Sequence, residues 1–91
     1  MKIRIEPHTL VRALERGANE AEIIDILENG EEIPVKRDRL GKFKVFDFMN
    51  YRNNKYYEQK RIEVIYTIET NEIVTITIYV FYGKWNLKNE N

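Results

Sequence analysis

The sequence predicts an α+β fold: an N-terminal αα-hairpin, after a short first strand, packed on a twisted, mainly antiparallel sheet of about four strands. Two observations carry this reading. Apolar residues recur at helical spacing only before Gly30, and the texture turns to β beyond it. The stretch Arg61–Tyr82 then alternates between apolar and polar residues for more than twenty positions, interrupted once by a turn. Its 91 residues suffice for one domain with a single two-layer core.

Taken in order, Lys2–Ile5 alternates and predicts a short strand. Pro7 stands where a first-turn helical proline belongs, and His8–Arg16 carries a helical stripe of Leu10, Ala13 and Leu14, with Val11 at its edge. Gly17 ends that helix as a left-handed C′ residue. Asn19 and Glu22 form a capping box for a second helix, whose stripe is Ile23, Ile24, Ile26 and Leu27, stopped by Asn29-Gly30. Glu32–Arg37 predicts an edge strand marked by Pro34, and Leu40-Gly41 a turn. Lys42–Tyr51 is a strand whose pattern leaves two inward sets open, Phe43, Val45 and Met49 or Phe46 and Phe48, with Asp47 on the first set weighing toward the second. Arg52-Asn53-Asn54 is a turn, and Tyr56–Glu69 a strand bulged near Glu58–Lys60.

The last hairpin permits a register argument. Matching Ile62, Val64, Tyr66 and Ile68 with Val74, Ile76, Ile78 and Val80 on one side requires a three-residue loop, Glu69–Asn71, with Asn71 at positive φ. Thr75, Thr77 and Tyr79 then form a polar opposite side. Trp85 is expected to cap the core, and residues 86–91 to fray.

Composition excludes several function classes. With no cysteine and a single histidine, disulfides, thiol catalysis, zinc-thiolate sites and multi-histidine metal sites are ruled out. Neither a metal nor a cofactor is expected. No signal peptide and no membrane-spanning run is legible, so a cytoplasmic location without membrane association is the expectation. The formal net charge of zero conceals an asymmetry. From Val35 to Ile62 nine basic residues face three acidic ones, whereas Glu15–Glu32 holds seven acids and one arginine. The basic segment can attract a polyanion, or the two segments can pair with each other.

Phosphate-binding glycine loops, HExxH and nucleophile elbows are absent, which leaves scattered basic and hydroxyl groups. His8, Arg12 and Arg16 share one helix flank at i, i+4 and i+8. His8 can serve as a neutral proton acceptor at a helix start, or simply cap that helix. Arg12 and Arg16 can hold a phosphate, or pair with nearby acids. Tyr57 with Lys55, Lys60 and Arg61 interleaves aromatic and cationic groups, the combination that stacks bases and pairs phosphates, although tyrosine is equally an ordinary strand residue. Such parts suit a metal-independent ribonuclease, in which a base deprotonates the ribose 2′-OH, cations stabilise the phosphorane and an acid protonates the leaving oxygen.

The run from His8 through Arg12, Arg16 and Gly17, followed by Glu22–Glu31, resembles the helical half of a widespread family of small prokaryotic proteins of unknown function. Ile73–Tyr79, with Phe81 and Trp85, resembles that family's last strand. Such proteins are similar in layout to BrnT and RelE/ParE-like toxins, α+β proteins of the barnase–RelE type. The resemblance implies an mRNA-cleaving toxin held by a cognate antitoxin protein, and favours His8, Arg12, Arg16 and Tyr79 as its site. A toxin-like endoribonuclease is therefore the leading expectation. A non-catalytic RNA- or protein-binding module using the polar sheet face is the alternative, and a homodimer through an edge strand the third reading.

Overall fold

The computed structural model describes residues 1–85, and the fraying expected of residues 86–91 lies outside the described residues. The elements are β1 (Lys2–Arg4), α1 (Pro7–Arg16), α2 (Glu20–Asn29), β2 (Glu31–Glu32), β3 (Leu40–Arg52), β4 (Lys55–Glu69) and β5 (Glu72–Gly83). They form an α+β fold with one five-stranded sheet in the order β1-β5-β4-β3-β2. It is mixed because β1 runs parallel to β5, while the remaining pairs are antiparallel. The radius of gyration, 13.6 Å, exceeds the ~12 Å of a compact chain this long. Long strands account for the excess: Met49, Tyr51 and Tyr56, near the end of the β3–β4 hairpin, are exposed.

The two helices have the ends their sequences specify. Pro7 starts α1, and Gly17 ends it at φ 95°, with the Gly17 and Ala18 amides donating to Leu14 and Ala13 as in a Schellman motif. Asn19 and Glu22 make both bonds of the capping box on α2. The buried face of α1, however, is Thr9 and Ala13, and Leu14 is 61% exposed. Helix α1 leans on β5 through the side carrying His8 and Arg16, which turns Leu14 outward. Thr9 is fully buried and its Oγ1 has no hydrogen-bond partner among the described residues. An orphaned hydroxyl costs about 1–3 kcal/mol, so Thr9→Val is expected to raise the unfolding free energy by about 1 kcal/mol. A chemical-denaturation midpoint unchanged or lowered would contradict this.

One core lies between the helices and one side of the sheet, built from Ala13, Ala18, Ile23, Ile26, Leu27, Ile62, Val64, Tyr66 and Ile78, with Phe46, Ile73 and Val80 against it. Phe46 is thus inward, which settles the choice between the two faces of its strand on the side that Asp47 favours. The last hairpin corrects the register argument. Its loop has two residues, Thr70 at φ 49° and Asn71 at φ 60°, and pairs Glu69 with Glu72 and Ile68 with Ile73. Asn71 is left-handed as expected, but the loop is the I′ type whose twist suits a hairpin. The side chains are brought back into match by a bulge at Ile76, which lies between the pairs Ile65–Thr77 and Tyr66–Thr75. Beyond the bulge the β5 sides exchange. Thr75 joins the helix-facing side, where its Oγ1 accepts from the Glu6 amide, and Val74 passes to the other.

Two further expectations change. The strand at Glu32–Arg37 shortens to Glu31–Glu32, and Ile33–Arg39 folds as a loop over the sheet side without helices. Leu40-Gly41 belongs to β3, with Gly41 buried where Ile33, Val35 and Ile65 meet; a Cβ there would lie within 3.1 Å of all three. The β3–β4 irregularity falls near Glu58, as expected, but its extra residue is on β3 between Asp47 and Asn50.

The charge asymmetry resolves partly inward. Lys44 pairs with Asp25 at 2.8 Å, Lys60 with Glu22 at 2.9 Å, and Lys42 donates to the Leu27 carbonyl at the end of α2. Bonds from Lys44 and Asn29 hold the Asp25 carboxyl below its ordinary value of 3.8. A depressed carboxylate stabilises the fold above its unfolded pKa, and that stability is lost as pH falls through the folded value. Asp25→Asn should therefore flatten the decline in Tm between about pH 5 and pH 2; an unchanged slope would show that the pair does not contribute.

Candidate functional site

The structure separates the residues that the sequence grouped. His8 donates from Nε2 to the Ile76 carbonyl at 3.0 Å, and Arg16 from Nη1 to the Ile78 carbonyl at 2.9 Å. Both carbonyls lie on the outer edge of β5, which β1 covers only along Glu72–Val74. An uncovered edge offers unpaired backbone groups to any passing strand, and side chains bonded to those groups block that pairing. The i, i+4, i+8 flank of α1 therefore serves as edge cover at His8 and Arg16, while Arg12, between them in sequence, is exposed. Tyr79 neighbours the fully buried Ile78 and points to the other side of the sheet, beside Glu63 and the Ile33–Arg39 loop. His8 and Arg16 are thus bonded along the β5 edge while Tyr79 lines the groove on the helix-free side, whereas the proton-transfer scheme requires them in one cleft.

Lys60 likewise has a different place from the one expected of an RNA contact. It is 8% exposed and donates to the Gly17 carbonyl at 2.7 Å as well as to Glu22. Two neighbours complete a clasp on the end of α1. Arg52 donates to the Glu15 carbonyl at 2.9 Å, and Tyr82 to the Arg16 carbonyl at 2.6 Å. Consecutive orphan carbonyls at the negative end of a helix thus receive two cations and a phenol. Burial pushes the Tyr82 phenol up, Arg52 opposes that and Glu22 adds to it, so the hydroxyl stays protonated and able to donate. Tyr57 packs on Tyr82 with ring centroids 5.6 Å apart, and the Lys55 ammonium lies 5.6 Å from the Tyr57 ring. These two sit toward the β3–β4 hairpin end.

Arg61 alone of that group faces the sheet side away from the helices. Its guanidinium lies 3.7 Å from the Phe43 ring centroid and its Nε bonds Glu63 at 2.8 Å. On the same side β5 presents Tyr79 and Phe81, 44% and 47% exposed, two residues apart on one strand. Trp85 lies there too, its ring against Gly83 and its amide bonded to Gln59, rather than capping the helical core. The result is a surface with rings from β3, β5 and Trp85 beyond it and with Arg61 of β4 between them, bordered by Lys36, Arg37 and Arg39 of the loop, none of which is in an ion pair among the described residues. The sequence signal for it was the odd-numbered series Tyr79, Phe81 on β5, hidden because a polar face was expected to consist of hydroxyls.

Among the described residues, no helix is long and apolar enough to cross a membrane. Compared with protein-family models, curated proteins and solved structures, the chain finds no match in any of the three.

Proposed function

We propose that the chain is a binding module for single-stranded RNA, with the helix-free side of the sheet as its contact surface. The observation that carries the reading is the set of exposed rings, Tyr79 and Phe81, beside the Arg61–Phe43 stack and next to a basic loop without an ion pair among the described residues. Bases stack on rings and on planar guanidinium groups, while phosphates follow cations, and both are offered along one surface. The ribonuclease reading lacks this support, because its acid–base group is bonded to the edge of β5 and Tyr79 faces the helix-free side of the sheet.

The test is fluorescence anisotropy with a labelled single-stranded oligoribonucleotide and its duplex, across salt concentrations. Wild type should bind the single strand with an affinity that falls as salt rises. Tyr79→Ala with Phe81→Ala should weaken binding by at least about tenfold, since each stacked base is worth about 1–3 kcal/mol. Equal affinity in the double variant, or a preference for the duplex, would rule out the sheet as a stacking surface.

A further inference from the structure

We propose that the groove between the Ile33–Arg39 loop and the sheet is a nucleotide pocket, holding one base against Tyr79 with its 5′-phosphate on Arg37 and Arg39. This rests on the RNA-binding reading and assigns it a specific subsite. The cavity measures about 540 Å³, within the usual size of small-molecule sites.

Three chemistries line it, and each matches one part of a nucleotide. The apolar part is Ile65 and Val35 with the Tyr79 ring, suited to the face of a base. The acceptor part is Thr77 and Glu63. Glu63 gives one carboxylate oxygen to Arg61, at 2.8 Å, and leaves the other oxygen open among the described residues. A carboxylate only accepts, so it suits the amino-bearing edges of guanine, cytosine and adenine better than uracil, which offers one ring N–H between two carbonyl oxygens. The cationic part is Lys36, Arg37 and Arg39, with Asp38 among them offsetting one charge. Two guanidinium groups can grip a terminal phosphate by paired hydrogen bonds. The opposite order, with the phosphate beside Glu63, would place like charges together.

The loop is built to hold this shape. Its base is fixed by the Ile33 amide bonded to the Gly41 carbonyl at 3.0 Å and by the side-chain packing that Gly41 permits. Its tip closes with Arg37 at φ 65°, a left-handed conformation that an arginine seldom adopts. Placing a cation at a strained turn position beside a cavity is the arrangement expected of a binding loop rather than of a plain connection.

The experiment follows backbone amide resonances of the full chain during titration with GMP, UMP, guanosine and inorganic phosphate, alongside anisotropy of the labelled oligonucleotide. GMP should shift the amides of Thr77, Tyr79 and the Ile33–Arg39 loop, more strongly than UMP. Arg37→Ala with Arg39→Ala should weaken GMP binding by about tenfold or more, and the exposed positions should leave the spectrum otherwise folded. If the oligonucleotide binds but GMP leaves those amides unmoved, the pocket is wrong and the sheet surface stands. If inorganic phosphate reproduces every shift and guanosine none, the loop is an anion site and the nucleotide assignment fails. If no strand binds at all, both readings fall.

Discussion

Lys60→Ala is expected to lower the unfolding free energy by about 3 kcal/mol and Tm by roughly 12–24 °C. The reason is what the ammonium leaves behind. Lys60 is 8% exposed on the helix-facing side of β4, where it binds the Gly17 carbonyl and both oxygens of Glu22. Without it, a largely buried carboxylate loses its only cation partner among the described residues, and a helix-end carbonyl loses its donor. Removing both charges together separates these effects. Glu22→Gln keeps an oxygen for the Asn19 amide, so the capping box survives, and Lys60→Met keeps the volume of the stem. The double variant should be more stable than Lys60→Ala, because no unpaired charge remains. A Lys60→Ala loss below about 1 kcal/mol would place this pair with ordinary surface ion pairs.

Local chemistry made the helices legible, and long-range chemistry made the site illegible. Pro7, Gly17 and the Asn19–Glu22 box act within one turn of chain, so their residue types suffice to place both helices. The last hairpin shows the limit. Thr70 is β-branched and sits at φ 49°, a cost that argues for a longer loop until the gain in strand twist is counted. The bulge at Ile76 then repaired the side-chain match by a route that alternation alone does not reveal. The basic residues failed for a related reason. Lys44, Lys60 and Arg52 read as a polyanion surface because their partners, Asp25, Glu22 and the carbonyl of Glu15, are far away in sequence. His8 and Arg16 kept their predicted spacing, but their targets are backbone carbonyls, which carry no sequence signature.

Gly17→Ala tests the same clasp from the helix side and should cost about 3 kcal/mol. Gly17 has φ 95°, where a Cβ carries roughly 1–2 kcal/mol of backbone strain. A Cβ would also collide with the Tyr82 hydroxyl and lie 3.0 Å from the Arg52 guanidinium. Overpacking of that kind costs about 1–3 kcal/mol, and it would push away the donors to Arg16 and Glu15. The two contributions can be told apart. Tyr82→Phe in the Gly17→Ala background removes the collision but leaves the strain, so it should restore part of the loss while destabilising the wild type by about 1 kcal/mol. Urea unfolding of the four proteins gives the coupling directly. Strict additivity would show that strain alone makes glycine necessary. A favourable coupling would place the constraint in the closeness with which β5 grips the helix end, which positions α1 and its edge-covering His8 and Arg16 along the strand.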